Sequence, residues 1–265
     1  MDIDYKNIFS LTEKSLIKQH SGHSKIPFAD MFSKYHNLKF CKLDDDDYFQ
    51  IIKEVIFYSG FKANIVKNKL EIINKNLPDY KSVSLFDDKN LEAILAEKKM
   101  FKNKKKISAT ISNAIKIKSI IKQYGSFQSY IDSFNPTVSF ENLLLLKEEL
   151  QYRFDYLGGV TVYHFLMNIG LNVIKPDRVL VRIFKRLGLI ENEKQFFKTI
   201  FQARKFATAT GYSIRYIDII FVTYGQQGES AICLEENPHC DLCYLTRHCN
   251  YFQKYQAEKK LILPN

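Results

Sequence analysis

The chain has 265 residues, 46% of them apolar, and only six prolines, which excludes a disordered chain and allows one large domain or two lobes. No apolar run approaches the roughly 20 residues that span a bilayer. The opening MDIDYKNIFS lacks a signal-peptide pattern, so a cytoplasmic protein without a membrane partner is expected. A net charge of +10 suits a polyanionic partner such as nucleic acid, although a coding bias toward Lys, Asn and Ile would raise it too.

No stretch sustains strand alternation and the long periodicities are helical, so the fold class is all-α. Residues 1–30 predict only a short helix around Leu11 to Gln19. After Tyr35-His36, the acidic run Asp44 to Asp47 places negative charge at the start of a strong helix, YFQIIKEVIFYSG. That helix should bury Ile51, Ile52, Val55 and Ile56 and stop near Gly60. The basic cluster Phe101 to Lys106, with Lys102, Lys104, Lys105 and Lys106, leads into a helix that begins KKKISATISNAIKIKSII. It reads equally as solvated surface and as a contact to a nucleic-acid backbone. Phe134-Asn135-Pro136 marks a loop, and Leu143 to Leu150 forms an apolar helix.

From Phe154 to Leu189 the pattern is helix, turn, helix, loop and third helix. The turn is Tyr156-Leu157-Gly158-Gly159, whose adjacent glycines allow left-handed backbone angles and close approach by a ligand. Val160, Tyr163, Leu166 and Met167 then recur at helical spacing up to Gly170. A glycine turn at a helix start offers a row of backbone N–H groups, which is a phosphate cradle. Pro176-Asp177 opens the next helix, with Leu180, Ile183, Phe184 and Leu187 on one side, and Asp177 reads as its N-cap. Helical stretches follow at Gln195 to Ala207 and Ile214 to Tyr224, the latter ending at Gly225, and Gln226 to Ser230 reads as a loop.

Cys233, Cys240, Cys243 and Cys249 follow with spacing C-x6-C-x2-C-x5-C. Four thiols in so short a stretch of a cytoplasmic chain call for a metal rather than disulfides; zinc and an iron–sulfur cluster both fit the spacing. Cys41 is most simply a small buried apolar residue.

The stretch from Phe154 resembles the helix–hairpin–helix DNA glycosylases. In that superfamily the hairpin grips a DNA phosphate and an Asp about one and a half dozen residues later is catalytic. Here the resemblance assigns the hairpin to Leu157, Gly158 and Gly159, the acid to Asp177, and a basic DNA contact to Arg182. From Tyr35 to about Phe134 the chain is similar to the 3-methyladenine glycosylase I branch, through Lys106, Ile107, Ala109, Ile111, Asn113 and Ala114. The hairpin adds Tyr163, Phe165, Ile169, Gly170 and Leu171. Tyr35-His36 falls near that branch's Tyr-His pair, whose tyrosine lines the base pocket and whose histidine binds zinc. The chain departs from it in three places. The branch's acid aligns with Val55, Glu54 lying one residue off and so rotated by about 100°. Its pocket tryptophan aligns with Ala63, in a chain with no Trp. The partners that would complete the zinc site are not evident. The cysteine spacing is similar instead to the 4Fe–4S loop of the endonuclease III and adenine-mismatch glycosylases. That loop would carry His239, Arg247 and His248 to the DNA backbone.

The resemblance implies a two-lobed fold: a central helical barrel, 46–170, and a lobe from 1–45 with 171–265. It implies a monomer that flips a damaged or modified base of double-stranded DNA into the cleft between lobes, alkylated purines first. Tyr35, Tyr58, Phe61, His164 and Glu54 are the candidates for pocket or wedge. Bifunctional members carry a lysine just after the hairpin glycines, where this chain has Gly159, Val160, Thr161 and Val162, so base release without strand cleavage is expected. A different modified base, or a non-catalytic lesion-binding module, are the competing readings.

Overall fold

The structure is a computed structural model that describes residues 3–21, 27–226, 228 and 231–254. Among the described residues all regular structure is helical, as the periodicity predicts. In chain order the helices are α1 (Tyr5–Ser21), α2 (Phe28–His36), α3 (Asp45–Tyr58), α4 (Ala63–Lys67) and α5 (Leu70–Asn76). Then come α6 (Tyr80–Val83), α7 (Asp88–Ala96), α8 (Lys104–Tyr124), α9 (Phe127–Asp132) and α10 (Phe140–Arg153). The last four are α11 (Thr161–Asn168), α12 (Arg178–Arg186), α13 (Phe196–Thr210) and α14 (Ile214–Gly225). None of them is long and apolar enough to cross a membrane. Of the expected loop at Gln226 to Ser230, residues 227, 229 and 230 lie outside the described residues.

The chain forms two compact units, Phe40–Leu171, and Met1–Lys39 with Asn172–Asn265. In the first, α8 is the central helix, packed by α3, α6, α7 and α9. Asn103 caps it by accepting from the Lys106 N–H at 3.2 Å, and Gly125, at φ +84°, ends it. Ile107, Ile111, Ala114, Ile117 and Ile120 recur at three- and four-residue steps and are all buried. Each buried isoleucine contributes about 1.5–3 kcal/mol. The acidic start of α3 is a capping box, in which Asp44 accepts from the Asp47 N–H at 2.7 Å and the Asp47 side chain answers to the Asp44 N–H.

Ile52, Val55 and Ile56 are fully buried as expected, but the core face of α3 is broader than that set. Ile51 is only half-buried, whereas Tyr48, Phe49 and Lys53 are fully inside. The Lys53 ammonium donates to the Leu77 carbonyl at 2.8 Å, which lets its stem fill core volume, and burial pushes it down to about 8. Cys41, expected inside, is exposed in the connection before α3.

The second unit closes on an aromatic core from α1, α12, α13 and α14. Phe206 stands 5.1 Å from Phe221, and Phe184 meets Phe221 edge-on at 5.2 Å. The N-terminal helix runs well beyond the predicted Leu11 to Gln19 because Ile8 and Phe9 extend its buried face.

Candidate active site and cysteine loop

The hairpin is the turn from Asp155 to Val160 between α10 and α11. Its left-handed residue is Tyr156, at φ +64°; neither Gly158 nor Gly159 is in that region. The glycines serve the other expected purpose. A Cβ on Gly159 would meet nothing within 4 Å, and one on Gly158 only the Thr161 Oγ1 at 4.0 Å. They therefore keep the outer surface of the turn bare rather than relieve strain. Leu157 is fully buried, so it anchors the turn from beneath and the DNA contact expected of it falls to the backbone alone. Val160 gives α11 no side-chain cap, and the amides of Gly159, Val160 and Thr161 make no hydrogen bond among the described residues.

Sequence reasoning matches Asn113 to a motif without giving it a task. Its buried side chain clamps the turn from α8: Nδ2 donates to the Asp155 carbonyl and Oδ1 accepts from the Asp155 N–H, both at 2.9 Å. Lys116 adds a 2.8 Å ion pair to the Asp155 carboxylate.

Asp177 is the N-cap of α12. Its Oδ1 accepts from the Val179 N–H at 3.0 Å and the Leu180 N–H at 3.1 Å, which fixes the carboxylate and commits one oxygen only. The segment leading to it is set by α13, where the Arg204 guanidinium donates to the Asn172 carbonyl at 2.8 Å. The Asp177 N–H reaches back across Pro176 to the Lys175 carbonyl at 2.8 Å. Two charged groups that sequence reasoning passes over lie nearby in the same unit. The buried Asp218 of α14 is close enough for its charge to repel that of Asp177, and Arg215, one turn earlier, donates to Asp218.

Two basic residues expected on DNA are spent inside the protein. Lys106 is 3% exposed, and its ammonium caps the end of α3 by donating to the carbonyls of Ile56, Phe57 and Ser59 between the rings of Phe61 and Tyr156. A helix C-terminus leaves carbonyls unpaired, so a lysine that reaches them is drawn inward. Arg182 donates to the carbonyls of Gly225 at 2.6 Å and Cys233 at 3.2 Å, which ties α12 to the cysteine loop. Lys102 and Lys104 are exposed but engaged, the first with the carbonyls of Leu95 and Glu97, the second with Glu92 at 3.1 Å. Lys105 and Arg247 are exposed.

At the position of the branch's acid, Val55 is fully buried in the core, which leaves no acid on that face of α3. Glu54 and Tyr58 face each other one turn apart; burial raises the Glu54 carboxyl, and burial with the Glu54 charge raises the Tyr58 hydroxyl. Phe61 stacks on Phe101 at 5.0 Å, and His164 is half-buried on α11. In the other unit, Tyr35 carries the Arg215 guanidinium 5.2 Å above its ring, and His36 packs on Tyr216 at 4.0 Å and Tyr212 at 5.1 Å.

The four C-terminal cysteines line one cavity, together with Tyr224, Ile232 and Leu245. Three of their sulfurs already accept or share hydrogen bonds. Arg186 Nη1 donates to Cys233 Sγ at 3.2 Å, Tyr224 Oη and Cys243 Sγ are 2.8 Å apart, and the Phe252 N–H donates to Cys249 Sγ at 3.4 Å. Arg186 also holds the loop backbone through the carbonyls of Leu234 and Glu235. Burial, then the neighbouring thiols, push Cys240 up to about 11, so four bare thiolates would not coexist there without a cation among them. Among the described residues no three His, Cys, Asp or Glu groups are placed to hold a single metal ion.

The fold has relatives among solved structures. An endonuclease III trapped as a covalent intermediate with DNA aligns over 96% of this chain and 100% of its own, with a TM-score of 0.60 at 15% identity. The 8-oxoguanine DNA glycosylase of Thermotoga maritima aligns over 79% of this chain and 95% of its own, with a TM-score of 0.50 at 18% identity. The 3-methyladenine DNA glycosylase I of Staphylococcus aureus is 20% identical over 58% of this chain and 91% of its own, with a TM-score of 0.46. No curated protein sequence matches significantly. The first two likenesses establish the helix–hairpin–helix glycosylase fold. The family described as methyladenine glycosylase matches residues 27–175, more than half of the chain and inclusive of α3, α8, the hairpin and the approach to Asp177, and the chain belongs to that family.

Proposed function

We propose that this DNA N-glycosylase of base excision repair flips a damaged or modified base out of duplex DNA and hydrolyses its glycosidic bond with water, leaving the strand intact. A stacked base is unreachable, so flipping must come first. The open amides of Gly159 to Thr161 would hold a backbone phosphate, positioning the duplex without reading its sequence. The single observation that carries the chemistry is the fixed Asp177 carboxylate, with one oxygen committed to its helix and the other without a hydrogen-bond partner among the described residues. A carboxylate there stabilises the oxocarbenium-like cation and orients or deprotonates the attacking water. After the hairpin glycines stand Val160, Thr161 and Val162, none of which carries an amine for a Schiff base.

Alkylated purines are the first substrate class, on family membership. The fully buried Val55 in place of the branch's acid favours a second, a phage- or host-modified base. In the cysteine loop, Cys233, Cys240, Cys243 and Cys249 would hold a 4Fe–4S cluster. Four cysteines lining one cavity and N–H donors already aimed at sulfur support a thiolate-bound group there, and the C-x6-C-x2-C-x5-C spacing favours the cluster. Its contribution is structural, fixing the loop on which Arg247 is exposed. We place the protein in the cytoplasm, acting on DNA as a monomer.

A screen of purified protein against duplexes that carry different single lesions tests this reading, with base release and an intact abasic strand expected for one class. A covalent adduct trapped by borohydride would overturn the hydrolytic route, and stoichiometric zinc without iron in anaerobically purified protein would overturn the cluster.

A further inference from the structure

Asp218 is 4% exposed on α14, in the otherwise apolar stretch IDIIFV, where an unpaired carboxylate is strongly disfavoured. The charged groups that face it are Arg215, Asp177 and Lys175. Arg215 donates to its carboxylate and lies with its guanidinium 5.2 Å over the Tyr35 ring. The start of α14 is bolted to the end of α2 on the same side, since the Ser213 N–H donates to the His36 carbonyl at 2.9 Å and its hydroxyl to the Tyr35 carbonyl. Tyr35, Arg215, Asp218 and Asp177 thus form one chain of contacts and charges within a single unit.

We propose that Asp218 is a positioning residue for Asp177: it holds Arg215 on the face of Tyr35 and cancels its charge, so that the Asp177 carboxylate faces the sugar cation unopposed. The inference rests on the function proposed above. Arg215 and Lys175 flank Asp218, while Arg182, within charge range of Asp177, is itself paired with Glu235 at 3.8 Å. With Asp218 ionised, two carboxylates answer the two cations Arg215 and Lys175; without it, Asp177 stands alone against both, and a cationic transition state loses stabilisation. Burial raises the Asp218 carboxyl to about 6 while Arg215 holds it down, so it remains ionised at neutral pH.

The test uses full-length protein and two duplexes that lack a base, so the identity of the excised base does not enter. One carries a cationic pyrrolidine in place of the sugar, the other a neutral tetrahydrofuran, and the readout is the ratio of their dissociation constants. A purely structural residue changes both alike. Wild type should prefer the cation; Asp218→Asn should cut that preference about tenfold, the size of one unit of lost charge interaction. Asp218→Asn with Arg215→Met should restore most of it. Should Asp218→Asn not fold, Arg215→Met alone, which leaves the acid's charge uncancelled, must hold or raise the preference, and a fall overturns the proposal. If Asp177→Asn abolishes the preference and Asp218→Asn leaves it intact, this inference alone is wrong. If Asp177→Asn also leaves it intact, the catalytic reading of Asp177 fails and takes this inference with it.

Discussion

Two helix starts in this molecule solve the same problem in opposite ways. Each leaves amides that the helix cannot pair. At α11 the residues before the helix are glycines and a valine, no side chain caps, and the amides stay open to an external anion. At α12 the chain brings its own anion, and Asp177 fills the amides of Val179 and Leu180. The first start is thereby suited to hold something and the second to hold something still. A phosphate that must come and go needs unfilled donors, whereas the carboxylate proposed to act on the sugar must not swing, and two charge-assisted hydrogen bonds pin Asp177.

That contrast breaks most visibly at Asp177. Because asparagine caps a helix about as well as aspartate, Asp177→Asn should keep stability within about 0.5 kcal/mol. Single-turnover base release should fall by roughly a thousandfold or more, which is the scale of losing a preorganised charge, while DNA affinity changes little. Undiminished release in that variant would make the residue a cap and nothing else. The next largest effect lies under the other helix. Asn113→Ala strands the N–H and carbonyl of Asp155, so denaturant titration should show a loss of about 2–3 kcal/mol, with DNA affinity falling alongside. A neutral result would mean that the turn holds its shape without the clamp.

How much of this is legible in the chain follows from range. Capping, periodicity and glycine stops are local, so α3, α8, α12 and α14 can be read from runs of residues, as can the four cysteines from their spacing. Side chains that pair across long separations cannot. Lys106 sits in a run of lysines that looks like surface, and only the fold reveals that helix α3 ends beside it. The resemblance assigns Arg182 to DNA, while its acceptors are the Gly225 and Cys233 carbonyls, far along the chain. Asp218 interrupts an apolar helix and carries no motif, so nothing marks it until Arg215 and Asp177 are placed around it. The left-handed turn residue is Tyr156 although two glycines follow it, since the glycines answer to the space outside the turn rather than to its angles.

The bare surface at α11 can be tested without disturbing the fold. Gly158→Val places its Cβ no nearer than 4.0 Å to Thr161 Oγ1, so stability should hold within about 0.5 kcal/mol. Its methyls would stand where a phosphate approaches, and binding should weaken about tenfold for duplexes of any sequence. Equal weakening by Gly159→Val would map the contact across both residues; a sequence-dependent loss would mean that the turn touches bases.

The smallest effect concerns the lysines that lead into α8. Of the four, Lys106 is buried, so its replacement should lower stability rather than the salt dependence of binding. Lys102 and Lys104 already have partners, the latter in an exposed pair with Glu92 worth well under about 1 kcal/mol and easily exchanged for a phosphate. A triple Ala variant at 102, 104 and 105 should therefore flatten the slope of log affinity against log salt by about one to two units, near one for each phosphate no longer neutralised. Base release under saturating enzyme should be unchanged, because a contact at these side chains would be to the backbone and not to the sugar. An unchanged slope would place the start of α8 off the path of the DNA and leave the hairpin amides to account for the phosphate binding of that unit.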